Sequence, residues 1–256
     1  MARVIVGSRN TRNYFLIALL CALGAANIAF HLDHGTLPLR ATLWLVMTLV
    51  IVMAGRVVPS FTASALPRAG VVIRPQLDRV ALAVTVAAFA ADLLGLGAAA
   101  LAPLAFAAAV LHTVRQWGWA PFATRGRPIL WILHLSHAWI PAGFVLLGLV
   151  SLDLVGTAAP LHAFGAGAIG GLIIGMITRT ALGHTGRPLA TGWAEVAAYV
   201  LVHVAAALRV LLSFAPGVGY QSAIAVSGTL WSVAFLLYFV VYLPRLVQPR
   251  VDGKPG

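Results

Sequence analysis

Stretches of about twenty apolar residues recur from one end of this chain to the other, and that recurrence limits the fold more than any other feature. A helix rises about 1.5 Å per residue, so roughly twenty residues cross a hydrocarbon core of about 30 Å. Eight such stretches lie near 14–33, 41–59, 79–97, 99–117, 129–150, 161–181, 193–213 and 220–243. In lipid the backbone must pair its own polar groups, and a helix does so within one segment. The run from Arg79 to Trp117 is nearly unbroken and too long for one crossing. Gly95, Gly97 and Pro103 mark a tight turn inside it, which divides it into two helices. The sequence predicts an all-α polytopic transmembrane bundle, one domain over residues 1–256. The longest loop, 60–78, has about 19 residues and leaves no room for an extramembrane domain.

Charge agrees. Only 9% of residues are charged, against about 25% in soluble domains. The net charge of +11 could suggest nucleic acid. The basic residues instead form short clusters between apolar runs, so the expected partner is the bilayer, with no nucleic acid. Fifteen of the 17 basic residues fall in alternate regions: the two termini and the loops after spans two, four and six. The opposite loops hold only Arg40, and Arg209 lies within span seven. By the positive-inside rule both termini are expected in the cytoplasm. Arg3, Arg9 and Arg12 precede the first apolar run as in a signal peptide, but that run is long and no small-residue cleavage site follows. It reads as a retained span. The single cysteine, Cys21, lies in that run and reads as a small core residue, excluding a disulfide framework.

Small residues recur every four positions at Gly167, Gly171 and Gly175 in span six and at Ala87, Ala91 and Gly95 in span three. That spacing lets helix backbones approach closely and marks span six as a central helix. Trp117, Trp119, Trp131 and Trp193 read as an aromatic belt at the inner interface.

Polar groups in hydrocarbon are costly unless paired or bound. Eight histidines is a high number for so apolar a chain. His31, His34 and His162 fall near outer span ends, His112 near an inner end, and His203 near the middle of span seven. His184 falls in the inner loop after span six. His134 and His137 stand one turn apart in span five and share a face. Imidazole suits haem iron and copper, and facing helices can grip either between them. The sequence lacks C-x-x-C-H and H-E-x-x-H, which excludes covalent haem attachment and a zincin site. Asp92 and Arg209 fall at similar depth and could pair. Arg56, Arg115 and Arg179 lie at inner helix ends, placed to snorkel or to bind haem propionates or lipid headgroups.

Four segments carry a family resemblance: ANIAFHL at 26–32, AGRVVPSFT at 54–62, PILWILHLSHAWIP at 128–141, and LHAFGAGAIGGLIIGMITRTALGHTGRP at 161–188. Together they resemble the NnrS family of bacterial haem- and copper-containing membrane proteins, linked to nitric oxide stress and denitrification. The resemblance runs over essentially the whole chain and is to the C-terminal two thirds of a family whose members usually have about twelve spans. It implies haem or copper as cofactor, with His31, His134 and His162 as candidate metal ligands. His184, Arg56, Arg179, Arg187 and Arg209 join them as candidate cofactor-binding residues, and Pro59 and Gly186 also match. His137 stands where such proteins often have tyrosine. The histidine-glutamate-methionine motif of the family's N-terminal spans has no match here, which implies a natural short form, a split protein whose partner chain supplies those helices, or a truncated gene.

The expected function is therefore that of a haem/copper protein of the bacterial cytoplasmic membrane, acting in the response to nitric oxide or nitrosative stress. A histidine-using transporter or proton-coupled carrier, or a non-catalytic truncated subunit, are the alternatives. No paired carboxylates, nucleophile–base set or phosphate-binding loop marks a reaction, so enzymatic activity stays open.

Overall fold

The computed structural model describes residues 14–214, 217 and 219–253. Among them there is helix and no strand. We label the helices α1 (Tyr14–Asp33), α2 (Thr36–Ala65), α3 (Pro75–Leu93), α4 (Ala98–Trp117), α5 (Pro128–Ser151), α6 (Ala158–His184), α7 (Trp193–Leu212) and α8 (Tyr220–Val247). Seven of the eight are long and apolar enough to cross a membrane. The exception is α3, with 19 residues, which carries Asp78, Arg79 and Asp92. Both of its carboxylates are paired with neighbouring helices, Asp78 with Arg115 of α4 and Asp92 with Arg40 of α2. The expected eight helices are thus present, with charge rather than length setting α3 apart.

Local chemistry sets the helix ends. Pro75 and Pro128 open α3 and α5, where a missing N–H costs nothing. Gly95 and Gly97 take positive φ in the α3–α4 turn. Helix α2 is longer than the expected 41–59 because Pro59 stays inside it and is buried there. Leu20, Ile28, Val110, Leu236, Phe239 and Val240 are exposed on the outside of the bundle, as a lipid-facing surface requires. The chain is a multi-pass membrane protein.

Helix α5 lies at the centre, against α2, α4 and α6, while α7 and α8 form the tightest neighbouring pair. An aromatic stack from four helices fills one part of the core. Trp44 stacks on Phe89 at 4.5 Å, Phe89 on Phe144 at 5.2 Å, and Phe164 meets Phe144 edge-on at 5.2 Å.

The glycine stripe of α6 is the seam with α5. A Cβ on Gly167 would meet the Trp139 indole at 2.4 Å, one on Gly171 would meet Ser136 Oγ at 2.3 Å, and one on Gly175 would meet Leu133 at 2.8 Å. The stripe expected in α3 has another basis. Gly95 sits in the turn with open space around it, while Ala91 of the expected stripe is buried on a face that runs through Ala81, Thr85 and Ala88. Gly167→Ala is expected to push the rigid indole aside and cost about 1–3 kcal/mol. A fall in the thermal midpoint of purified protein checks it, and an unchanged midpoint would show that the seam can open freely.

Three further expectations are corrected by burial. Cys21 is exposed on α1 rather than packed in the core. Trp119 is 1% exposed and belongs to the interior, whereas Trp117 and Trp193 remain exposed as a belt requires. Arg115 does not snorkel outward; it is 6% exposed and turned into the bundle.

Candidate functional site

Three histidines lie in one polar layer between α4 and α5, and two of them, His112 and His137, meet. His112 comes from α4, and His134 and His137 from α5, all buried. The rings of His112 and His137 lie 6.0 Å apart, edge to face. His112 stacks on Phe144 at 5.6 Å, and Trp119 presses on His137 at 4.7 Å. The helices hold these positions for a periodic reason. His112 and Gln116 are four residues apart, so both sit on one face of α4. His134 and His137 are three apart on α5.

The hydrogen bonds fix two of the tautomers. Gln116 Nε2 donates to the His134 carbonyl at 2.7 Å, because a carbonyl can only accept. Its Oε1 therefore faces His137 Nδ1, at 2.8 Å, and that nitrogen must carry the proton. Thr62 donates its hydroxyl to the Val58 carbonyl, so it accepts from His134 Nε2 at 2.8 Å. His112 Nε2 bonds Thr85 Oγ1 of α3 at 2.9 Å. In each ring the second nitrogen is buried with no partner: His137 Nε2, His134 Nδ1 and His112 Nδ1. On His137 and His134 the bare atom is an unprotonated lone pair.

Arg115, one residue from Gln116, closes the layer. Its Nε donates to Asp78 at 2.5 Å, and its guanidinium lies over Trp119 at 5.2 Å. Gly55 leaves it room, since a Cβ there would stand 1.8 Å from Nη2.

A second polar site lies between α6, α7 and α8. His162 and Arg209 line a cleft of about 400 Å³ with Ser227 and Trp231. Just after His162, residues Ala163–Ile169 form a π-helical turn, a wider winding common at functional sites.

The sequence-derived candidates are scattered by comparison. His31 is exposed beside Phe30. His184 is exposed at the end of α6, where its carbonyl accepts from Arg250 at 2.9 Å. Arg56 lies near Phe15, and Arg179 sits 3.8 Å over the Phe61 ring. Arg187 donates to the Arg245 carbonyl and to Gln248, both at 3.2 Å. Asp92 pairs with Arg40 and accepts from Trp44 at 2.8 Å, so it does not pair with Arg209, which donates to Ser227 at 3.0 Å. No hydrogen bond or ring contact joins any two of His31, His134 and His162 among the described residues. Nor do any three His, Cys, Asp or Glu side chains there gather as a metal group.

The structure adds His112, His137, Gln116, Thr85 and Thr62 to the site. The four-residue step from His112 to Gln116 was the signal available in the sequence. It also adds a buried carboxylate, Glu195, held by the Gly192 N–H at 2.8 Å, Tyr242 at 3.0 Å and Arg245 at 3.1 Å.

No curated protein and no solved structure matches the chain. The family model described as NnrS protein matches residues 1–250. With nearly its whole length matched, this helical membrane chain belongs to the NnrS family.

Proposed function

We propose that the chain is a copper-binding NnrS protein of the bacterial cytoplasmic membrane that acts in the response to nitric oxide. The observation that carries this reading is the set of buried imidazole nitrogens left bare while their ring partners are hydrogen-bonded. A metal-binding histidine has this form: one nitrogen anchored to an acceptor, the other presenting its lone pair. An unpaired buried polar atom is otherwise costly, by about 1–3 kcal/mol.

His112 and His137 are near enough to share a small ion: their ring centres are 6.0 Å apart, and two metal–nitrogen bonds of about 2.0 Å plus the ring radii span roughly 6 Å once both bare nitrogens turn toward the ion. Monovalent copper accepts two nitrogen donors, and neutral imidazole suits it. Bound copper would supply a redox-active centre with affinity for small ligands such as nitric oxide. The protein's own part is to orient His137 through Gln116, to hold His112 through Thr85, and to exclude water with Phe144 and Trp119.

A haem fits this layer poorly. His112 and His137 are both 0% exposed, with Phe144 and Trp119 against them, so these two rings suit a small ion better than a porphyrin plate, while His134 lines a separate cavity of about 490 Å³. We therefore rest the reading on copper.

The test is metal analysis of purified, full-length protein. One copper retained per chain through dialysis, together with greater nitric oxide sensitivity of a strain lacking the gene, is the expected pair of results. A protein that retains no copper after loading with monovalent copper would overturn the reading.

A further inference from the structure

We propose that the cleft between α6, α7 and α8 is a binding site for an oxyanion of the phosphate class. The argument starts from Arg209. An arginine in the last turn of a membrane helix ordinarily snorkels toward water. Here its Nε instead donates to Ser227 Oγ at 3.0 Å, and the Ser227 hydroxyl donates in turn to the Ala205 carbonyl at 3.1 Å. Ser227 is 1% exposed, so this anchor is fixed inside the α7–α8 contact. The anchor uses the inner nitrogen and leaves the two outer nitrogens free to present paired donors toward the cleft. Paired guanidinium donors match the geometry of phosphate and carboxylate oxygens.

The rest of the lining offers neutral polar groups and no opposing charge. The His162 imidazole makes no hydrogen bond among the described residues, and the Trp231 indole N–H makes none either. No aspartate or glutamate lines the cleft. Space is provided by glycine. A Cβ on Gly165, within the π-helical turn, would meet nothing within 4 Å. A cleft of about 400 Å³ lies in the range of small-ligand sites, about 300–1,000 Å³. The wide turn at Ala163–Ile169 sets His162 on the same cleft as Arg209 although they come from different helices. The anion could be free in solution or the headgroup of an anionic lipid; both offer the same oxygens to Arg209.

Calorimetric titration of full-length protein in detergent at constant ionic strength tests this. One arm uses inorganic phosphate, the other short-chain phosphatidylglycerol. Saturable binding of either or both is expected. Phosphate alone would identify a free oxyanion, and phosphatidylglycerol alone a lipid headgroup. Arg209→Gln is expected to weaken binding about tenfold or more. That variant also removes a helix–helix bridge, so Gly165→Leu provides the second arm. Leucine there fills open space, and the variant is expected to lose binding while its unfolding midpoint and copper content stay those of the parent. If neither probe saturates, or Gly165→Leu binds as tightly as the parent, the site is excluded. Copper content is read on the same samples, so this proposal and the metal reading fail separately.

Discussion

Asp78→Asn is expected to destabilise the protein by about 3 kcal/mol, the lower end of the cost of stripping a buried ion pair of one partner. The reason is Arg115. Its side chain is 6% exposed, while Asp78 is 26% exposed, so the carboxylate keeps some access to water and the guanidinium has almost none. An asparagine still accepts a hydrogen bond but leaves the charge uncompensated. The guanidinium cannot easily swing away, because it is packed over Trp119 and fills the space that Gly55 leaves for it. One outer nitrogen, Nη1, already lacks a partner. Replacing both members, as Asp78→Asn with Arg115→Met, removes the stranded charge and is expected to recover more than half of the loss. Reversible unfolding in mixed detergent measures both variants. If Asp78→Asn unfolds with the parent's midpoint, Asp78 does not hold Arg115 in place. The same pair anchors the helix that carries His112 and Gln116, so stability and site geometry share a support.

Much of the architecture was legible because lipid imposes a simple length rule. The seventh span, expected at 193–213, is Trp193–Leu212 in the structure. The second shows where the rule ends. Arg56 and Pro59 read as the end of a span, yet the helix runs on to Ala65, since a buried proline is tolerated once neighbouring helices cover the break. Depth was legible too, but neighbours were not. Asp92 and Arg209 share a depth by span position, and so does Arg40; Arg40 wins because α2 packs against α3. Trp119 shows the same limit, since its place in the sequence suits a belt and only the turn after α4 brings it against His137. The pair His134–His137 could be read from its spacing. Its meeting with His112 could not, because which faces of α4 and α5 meet is decided by packing across the whole bundle. Family resemblance pointed to single histidines and passed over the hydrogen-bonded set that orients them.

His137→Ala is expected to abolish copper retention, and Gln116→Leu to weaken it about 10–100-fold, the usual effect of removing a residue that orients a metal-binding histidine. The difference between the two follows from their roles. His137 brings the lone pair, and Gln116 fixes which nitrogen carries it. With Gln116 gone, nothing on α4 selects the Nδ1–H tautomer, and the ring can present a proton where a lone pair is needed. His203 is the control that separates this account from a general need for buried histidine. The Trp139 indole donates to His203 Nδ1 at 3.0 Å, so the neutral ring carries its proton on Nε2. That nitrogen is also buried and unpartnered, but it is a donor and cannot bind a cation. His203→Ala should therefore keep its copper. Competition against a chromogenic chelator for monovalent copper ranks all three variants on one scale. Equal loss in His203→Ala and His137→Ala would mean that burial alone matters, and the tautomer argument would fall with the site built on it.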